Sequence, residues 1–498
     1  MSRIDHHFAT SMATLESVTS HQERIVKEFI KFHEDAATNP AGGFKTYVVK
    51  NQGNEERVRS FTEWLTKQGF EYGMAGKNMI AKGTELANSS DQSIKIESND
   101  LLISAYQPKS NLIRILFETK PVLEDSVTYD LTSWGMSYLF GLKTYGLKEK
   151  LAPVAYKTPV IENKISEVSP YAYLARWSAV EDVVFLSELL KRNMLVRSSN
   201  VDFEIDKLKF EAGTLVITKK GNSQKDFDQL VTSLATKHHV QLIPVKTGFV
   251  TSGADFGSPQ FVPVLKSPKI VTVGGPGISA TSFGAVWHYF EKQIEYPMTI
   301  INGDKLANLP WSEIDVLILP AGKYANIMNE KVIDMLQEWI RNGGKLIAME
   351  QATDIFINKP GFGLTKKISE KSKEPDVFKK FGDQERLEAS DSSPGSMFII
   401  NLDKTHPLAF GCNQEYYTLV RDSYDIGYLK DGWNVGYLDD KGYAAGFVGK
   451  KMTEKLKNTL IMGVQPMGKG QVVYLMDDPL FRGMIYNGKI LFSNAVFR

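Results

Sequence analysis

The sequence predicts a multi-domain α/β protein in which two small, related units precede a larger doubly wound domain. Three observations carry this. The chain has 498 residues, room for about three domains at roughly 100–200 residues each. Before residue 266, strand-like and helix-like segments alternate twice in the same order, as α/β units do. After it, continuous apolar runs alternate with amphipathic helices, the pattern of a mostly parallel sheet covered on both faces.

Residues 1–37 read as a leading helical segment, with Phe8, Met12, Leu15 and Val18, then Ile25, Phe29 and Phe32, at helical spacing. Asn39-Pro40-Ala41-Gly42-Gly43 ends it. The first unit, 38–150, opens with strand Tyr47-Val48-Val49 and a helix carrying Val58, Phe61, Trp64 and Leu65 on one face. Strand Leu101–Ser104 then leads into a helix around Leu112, Ile115 and Leu116. The second unit, 151–265, repeats the order. Strand Tyr171–Leu174 is followed by a helix with Val183, Leu186, Leu189 and Leu190. Strand Gly213–Ile217 is followed by a helix with Phe227, Leu230 and Leu234. Residues 122–170, including Tyr129, Trp134 and Tyr138, read as irregular packing or linking segments.

The last domain, 266–498, starts with strand Lys269–Val273, which runs into Gly274-Gly275-Pro276-Gly277 and a helix through Phe283, Val286, Trp287 and Phe290. Thr299–Ile301 and Val316–Leu319 are short strands. A helix from Val332 to Ile340 is stopped by Gly343-Gly344, and strand Leu346–Met349 follows. Residues 358–396 are a polar excursion. Strands Ala445–Val448 and Val472–Leu475 and a short terminal helix close the chain.

Composition narrows the function. Lys plus Arg is 59 against 58 Asp plus Glu, a net charge of +1, which argues against a nucleic-acid binder with its basic stripe. No apolar run approaches the ~20 residues of a membrane helix. A single cysteine, Cys412, excludes an intramolecular disulfide and any cysteine-cluster metal site. The N-terminal residues carry no apolar signal core, so the chain as it stands is expected to stay where it is made.

Four constellations could carry chemistry. His288 and Glu291 form an H-x-x-E pair with His406 further on, the ligand types of a catalytic zinc site. An i, i+3 pair shares a helix face whatever its role, and His406 precedes Pro407 in a turn, so the zinc reading is disfavoured. Gly274-Gly275-Pro276-Gly277 leaves a strand and opens a helix, where backbone N–H groups can face an anion. It lacks the full G-x-G-x-x-G spacing, and a tight turn without ligand is the favoured reading. Strand Leu346–Met349 running into Glu350-Gln351-Ala352-Thr353 has the form of a nucleophile elbow, but no Ser or Cys stands in the turn and Glu350 has no adjacent His. Cys412 lies outside any such turn and reads as a buried thiol. Asp477 and Asp478 beside Arg482 could bind a metal or polar ligand. The favoured role is structural, with Asp478 capping the final helix, Pro479 in its first turn and Arg482 paired back to an aspartate. None of these is a complete active site.

Several stretches resemble the C-terminal, non-peptidase part of bacterial zinc-carboxypeptidase-like proteins of the carboxypeptidase A type. They are Phe8–Leu15, Tyr129–Trp134, Tyr173–Trp177, Ser252–Ser258, Thr405–Gly411 and Asp477–Gly483. The last domain also resembles the flavodoxin-like fold of class I glutamine amidotransferases, with Glu350-Gln351 where their nucleophilic cysteine stands. The resemblance implies the fold without the amidotransferase activity. It places zinc, held by an H-x-x-E pair and a later His, in a peptidase domain preceding residue 1. The chain is then either a fragment of a longer protein or a gene that lost its peptidase. As part of the longer protein it would be periplasmic or secreted.

Three functions follow. The first is a catalytically silent accessory region of a zinc-carboxypeptidase-like protein, with the peptidase domain as partner and peptide or cell-wall material as the alternative one. The second is a small-molecule-binding module with its pocket at the carboxyl ends of the last domain's strands, near Gly275, Gly277, Gly322 and Glu350. The third is a hydrolase using Glu350 or the Asp477/Asp478 pair.

Overall fold

The structure is a computed structural model and describes residues 2–118, 121, 130–165, 169–222, 224–367, 380–413, 416–421 and 425–498. Tyr129 and most of the central part of the polar excursion lie outside the described residues. The chain divides into two compact units: Met1–Asn51, Phe61–Glu118 and Lys143–Lys157 form the first, and Gln52–Ser60, Thr119–Leu142 and Thr158–Arg498 the second.

The first unit begins with helices α1 (Arg3–Ser20) and α2 (Gln22–Thr38). Ser2 caps α1, its hydroxyl accepting from Asp5 N while the Asp5 carboxylate accepts from Ser2 N. Then come β1 (Thr46–Val49), α3 (Glu55–Gln68, whose first residues count with the second unit), β2 (Gly73–Met74), β3 (Met79–Glu85), β4 (Ser90–Ile96), β5 (Leu101–Ser104), α4 (Ser110–Phe117) and, after α5 (Met136–Leu139) of the second unit, β6 (Thr144–Leu147). The sheet order is β2-β5-β1-β6-β3-β4, and every pairing is antiparallel. Val48, Ile96, Leu102 and Leu147 make the centre of its core.

The second unit opens its own sheet with β7 (Ala172–Ala175), α6 (Val180–Lys191), β8 (Arg197–Ser198), β9 (Phe203–Ile205), β10 (Leu208–Phe210), β11 (Leu215–Thr218), α7 (Phe227–Lys237) and β12 (Leu242–Val245). Its order is β12-β7-β11-β8, again antiparallel. The two sheets share one order of their main strands. Each copy runs strand–helix–strand–hairpin–strand–helix–strand, and the third main strand inserts between the first two: a split βαβ. Strand–helix alternation alone suggests parallel neighbours, and the inserted strand is what makes them antiparallel. Strands β2, β3, β4, β6, β8, β9, β10 and β12 went unread: β6 falls within the segment read as irregular, and β12 is interrupted by Pro244. In the first copy the hairpin β3–β4 joins the sheet, whereas in the second β9–β10 stands apart.

The rest of the second unit is a ten-stranded sheet. Its parallel half consists of β13 (Ile270–Gly274), α8 (Ala280–His288), β14 (Met298–Asn302), β15 (Val316–Leu319), α9 (Glu330–Arg341) and β16 (Lys345–Met349). The chain continues through α10 (Gln384–Ser390), β17 (Ser396–Leu402), β18 (Tyr416–Val420), β19 (Trp433–Leu438), β20 (Tyr443–Ala445), α11 (Lys450–Leu456), β21 (Thr459–Met467), β22 (Gly470–Leu475) and α12 (Tyr486–Phe497). The order β14-β13-β15-β16-β22 is parallel throughout. Numbered by appearance it is 2-1-3-4-5, the flavodoxin-like arrangement. The antiparallel strands β21, β19, β17 and β18 extend it.

Local chemistry explains these elements. Asn329 caps α9 by accepting from Val332 N at 3.1 Å. Its inner face, Val332, Ile333, Leu336, Trp339 and Ile340, is buried. The helix ends at Arg341, Gly343 follows with φ of +121°, and the Trp339 ring fills the space that a Cβ at Gly344 would need. The terminal helix α12 is buried along almost its whole length, and its buried polar side chains Asn487, Ser493 and Asn494 are hydrogen-bonded to Arg57, Tyr289 and Phe410 O.

Candidate functional site

Parallel doubly wound sheets bind ligands beyond the carboxyl ends of their strands. A cavity of about 730 Å³ lies there, lined by the first turns of α8 after β13, by Glu350 and Gln351 after β16, and by Asp478 and Phe481–Gly483 after β22. Asp130, Leu131, His288, Gln293, Pro394 and Arg421 also line it. Ser279 caps α8, accepting from Ser282 N at 3.3 Å, and the Ser282 hydroxyl accepts from Ala321 N at 3.1 Å. These bonds aim the positive end of the α8 dipole at the cavity.

The glycines expected to frame a pocket build its support. Gly275 and Gly277 have φ of +93° and +86°, conformations open to glycine without strain. Their loop folds onto the end of β15: Gly277 O accepts from Lys323 N at 2.8 Å, Ala321 O accepts from Ser279 N at 2.8 Å, and Ile278 bridges to Gly322. Gly277 and Gly322 are thus brought together, while Glu350 stands on the cavity itself with a different set of neighbours.

Glu350 occupies the predicted elbow. Its φ is +45°, unusual for a residue with a side chain and a sign of a position fixed by its surroundings. The side chain is 4% exposed and forms an ion pair with Arg421. The Arg421 guanidinium lies over the Phe481 ring at 4.2 Å. Asp477 accepts from Thr418 Oγ1 at 2.6 Å through Oδ2, and Asp478 accepts from Leu480 N at 2.9 Å through Oδ1. Arg482, with φ of +50°, stands between the Phe481 and Trp134 rings and 3.8 Å from Asp130.

Asp478 does not cap the terminal helix. The chain first makes a short 3-10 turn at Phe481–Gly483, and α12 begins at Tyr486 with Ile485 at the cap position. Asp478 instead closes the turn that leaves β22, and Arg482 pairs with Asp130 rather than with Asp477 or Asp478. The apolar character of Ile485 and Tyr486 let the helix start later, inside the core.

Burial first, and then the Glu350 charge, push the Asp478 carboxyl up to about 7. Burial also pushes Asp477 up to about 6, against the opposing Thr418 hydrogen bond. Two carboxyls raised this far, beside a third that is paired to arginine, mark a site that costs the fold stability. The sign is clear. An acid whose pKa is higher folded than unfolded holds its proton more tightly when folded, so stability falls as pH rises from about 4 to about 7 and levels off above. We expect Asp478→Asn, which keeps the acceptor for Leu480 N, to be more stable than the parent at pH 8 by on the order of 3 kcal/mol. The advantage should shrink toward zero near pH 4. Urea titrations of both proteins at pH 4.5 and 8 check this, and a pH-independent difference would contradict it.

The zinc-like triad is not assembled. His288 and Glu291 are exposed, with His288 Nδ1 3.2 Å from Gln293 Nε2 and Glu291 next to Lys292. His406 sits at a separate cavity, accepts from Leu408 N at 3.1 Å and caps a short turn. Among the described residues no group of three His, Cys, Asp or Glu side chains could hold a metal ion. Burial drives the Cys412 thiol up to about 12, which makes it inert. Sequence reasoning missed Arg421, the counter-charge of Glu350. Its one signal is a lone arginine directly after the apolar strand Tyr416–Val420.

No protein-family model matches the chain, and no curated protein matches it. Among solved structures, a ThuA-like protein from Bacteroides uniformis is 12% identical, with 46% of this chain covering 90% of that one at a TM-score of 0.29. A glutamine amidotransferase from Thermotoga maritima is 8% identical, covering 46% of this chain and 96% of that one at 0.25. The exo-β-1,4-mannosidase Op5Man5 from Opitutaceae bacterium strain TAV5 is 11% identical over 46% of this chain, with a TM-score of 0.25, and the match spans only 36% of the mannosidase. No activity passes from these to this chain. The flavodoxin-like assignment rests on the strand order. No helix among the described residues is long and apolar enough to cross a membrane.

Proposed function

We propose that the flavodoxin-like domain is a binding module for a small polar ligand, held in the cavity between α8, Glu350 and Asp478. The observation that carries this is the placement of nearly buried Glu350 and Asp478, both carboxylates, with the Arg421 and Arg482 guanidinium groups on one cavity wall. Charges of both signs facing one cavity suit a ligand that carries both signs or many hydroxyls, such as an amino acid, a short peptide or a sugar. A thermal-shift screen of those classes and of nucleotides tests it. A ligand at 100 times its Kd adds about 2.7 kcal/mol to stability, a clear rise in Tm, and Asp478→Asn should reduce that rise. A screen without a stabilising ligand would count against the module.

A specific observation supports the wider reading. Two of the stretches that resemble zinc-carboxypeptidase-like proteins, Tyr129–Trp134 and Asp477–Gly483, both contribute residues to this cavity. On this reading the chain is an accessory, non-catalytic region, with zinc and peptide hydrolysis belonging to a partnering peptidase domain and the cavity supplying recognition of peptide or cell-wall material. Release of C-terminal residues from peptides by this chain alone would overturn it. The competing hydrolase reading draws support from the carboxyls near neutral pKa, the range that suits general acid–base work. It requires an activity that falls on Glu350→Gln and on Asp477→Asn.

A further inference from the structure

The leading helices are exposed along almost their whole length. Every residue of α1 is exposed, and α2 buries only Ala36. Their apolar residues follow a heptad. Phe8, Leu15, Gln22, Phe29 and Ala36 fall seven apart. Ile4, Ser11, Val18, Ile25 and Phe32 fall seven apart three positions on. Alternating steps of three and four sustained over more than four heptads are the seam of a coiled coil, with the first set at a and the second at d. At the junction His21 has φ of −120° and ψ of 18°, so the seam runs as two helical stretches, joined where His21 N donates to Ser17 O at 3.1 Å and Ile25 N donates to His21 O at 3.0 Å. The seam's Ile, Leu, Val and Phe side chains are between 43% and 78% exposed.

We propose that α1 and α2 pair along this seam with the same helices of a second copy of the chain, forming a coiled-coil dimer. Area argues for an occupant of that kind. Bare aromatic side chains present ~150–250 Å² each, so the seam offers on the order of 800 Å² of apolar surface, what one partner contributes to a standard stable interface. A monomer rarely leaves more than a few hundred Å² contiguous. Met12 and Val26, 42% and 56% exposed, stand one position beyond d and widen the stripe that a matching helix would cover. A second copy brings an identical heptad over the same length. Gln22 is the polar a residue that sets register in such pairs at some cost in stability.

Light scattering on the whole chain tests this. We expect a mass twice the 55.8 kDa of the chain at roughly 50 μM, a concentration that populates complexes of micromolar Kd. Leu15→Glu with Phe29→Glu should give a monomer whose thermal unfolding is otherwise unchanged, since both side chains are already exposed. Gln22→Leu should tighten the dimer about tenfold. A parent mass other than that of a dimer, a double variant that stays dimeric, or a Gln22→Leu dimer no tighter than the parent would each overturn the proposal.

Discussion

Arg57→Leu is expected to lower the unfolding free energy of the second unit by about 4 kcal/mol, the range for breaking a buried, hydrogen-bonded charge. Arg57 is 1% exposed. Its guanidinium donates to Phe140 O at 3.2 Å, Ser178 O at 2.7 Å, Gly411 O at 3.2 Å and to Asn487 Oδ1. Four segments far apart in sequence thus end on one side chain, and each acceptor is left without its donor when it is removed. Its charge is also offset by Glu181 and Asp182. Leucine fills part of the volume but donates nothing. Lysine keeps the charge with a single ammonium in place of a planar fork, so Arg57→Lys should recover only part of the loss. Urea unfolding read through the midpoint, at unchanged slope, checks both. A leucine variant within 1 kcal/mol of the parent would mean that these acceptors find other donors.

Arg421→Leu should cost about 3 kcal/mol at neutral pH, the lower end for breaking a buried ion pair, because Arg421 is 30% exposed on its side chain. The loss arises from the partner left behind. Glu350 is left beside Asp477 and Asp478 without the guanidinium that offsets a carboxylate there. Arg421 also holds both aspartate carboxyls down. Removing it should therefore carry the decline of stability with pH to a higher pH. Adding Glu350→Gln should restore most of the loss, a coupling that a double-mutant cycle reads directly. If the two substitutions prove additive, the pair does not act as a unit.

Where one element carried its own signal, the sequence showed it. Strands β13, β15 and β16 are short runs that are apolar because both faces are covered, and their burial is nearly complete. The two related units were visible as strands and helices, but their antiparallel order was not, because it depends on which strand inserts between which. The β6 strand was lost among its glycines, Gly141 and Gly146, and β12 behind Pro244. At the site, Glu350 stood out because an elbow is local. Arg421 did not, because it meets Glu350 from 71 residues away, and no spacing rule joins a strand end to a turn on another strand.

The two repeated sheets share a final property. An open sheet presents unpaired backbone groups along its outermost strands, and a long, flat, apolar border invites another chain to pair and aggregate. Here the borders are β2 and β4 in one sheet and β8 and β12 in the other. Both β2 and β8 are two residues long, too short to template a ladder. Strand β4 carries Asp91 and Lys95, and β12 carries Pro244, which has no N–H to offer. Two sheets of the same strand order are at special risk of pairing with each other's borders, and these four borders block that route by shortness, charge or proline.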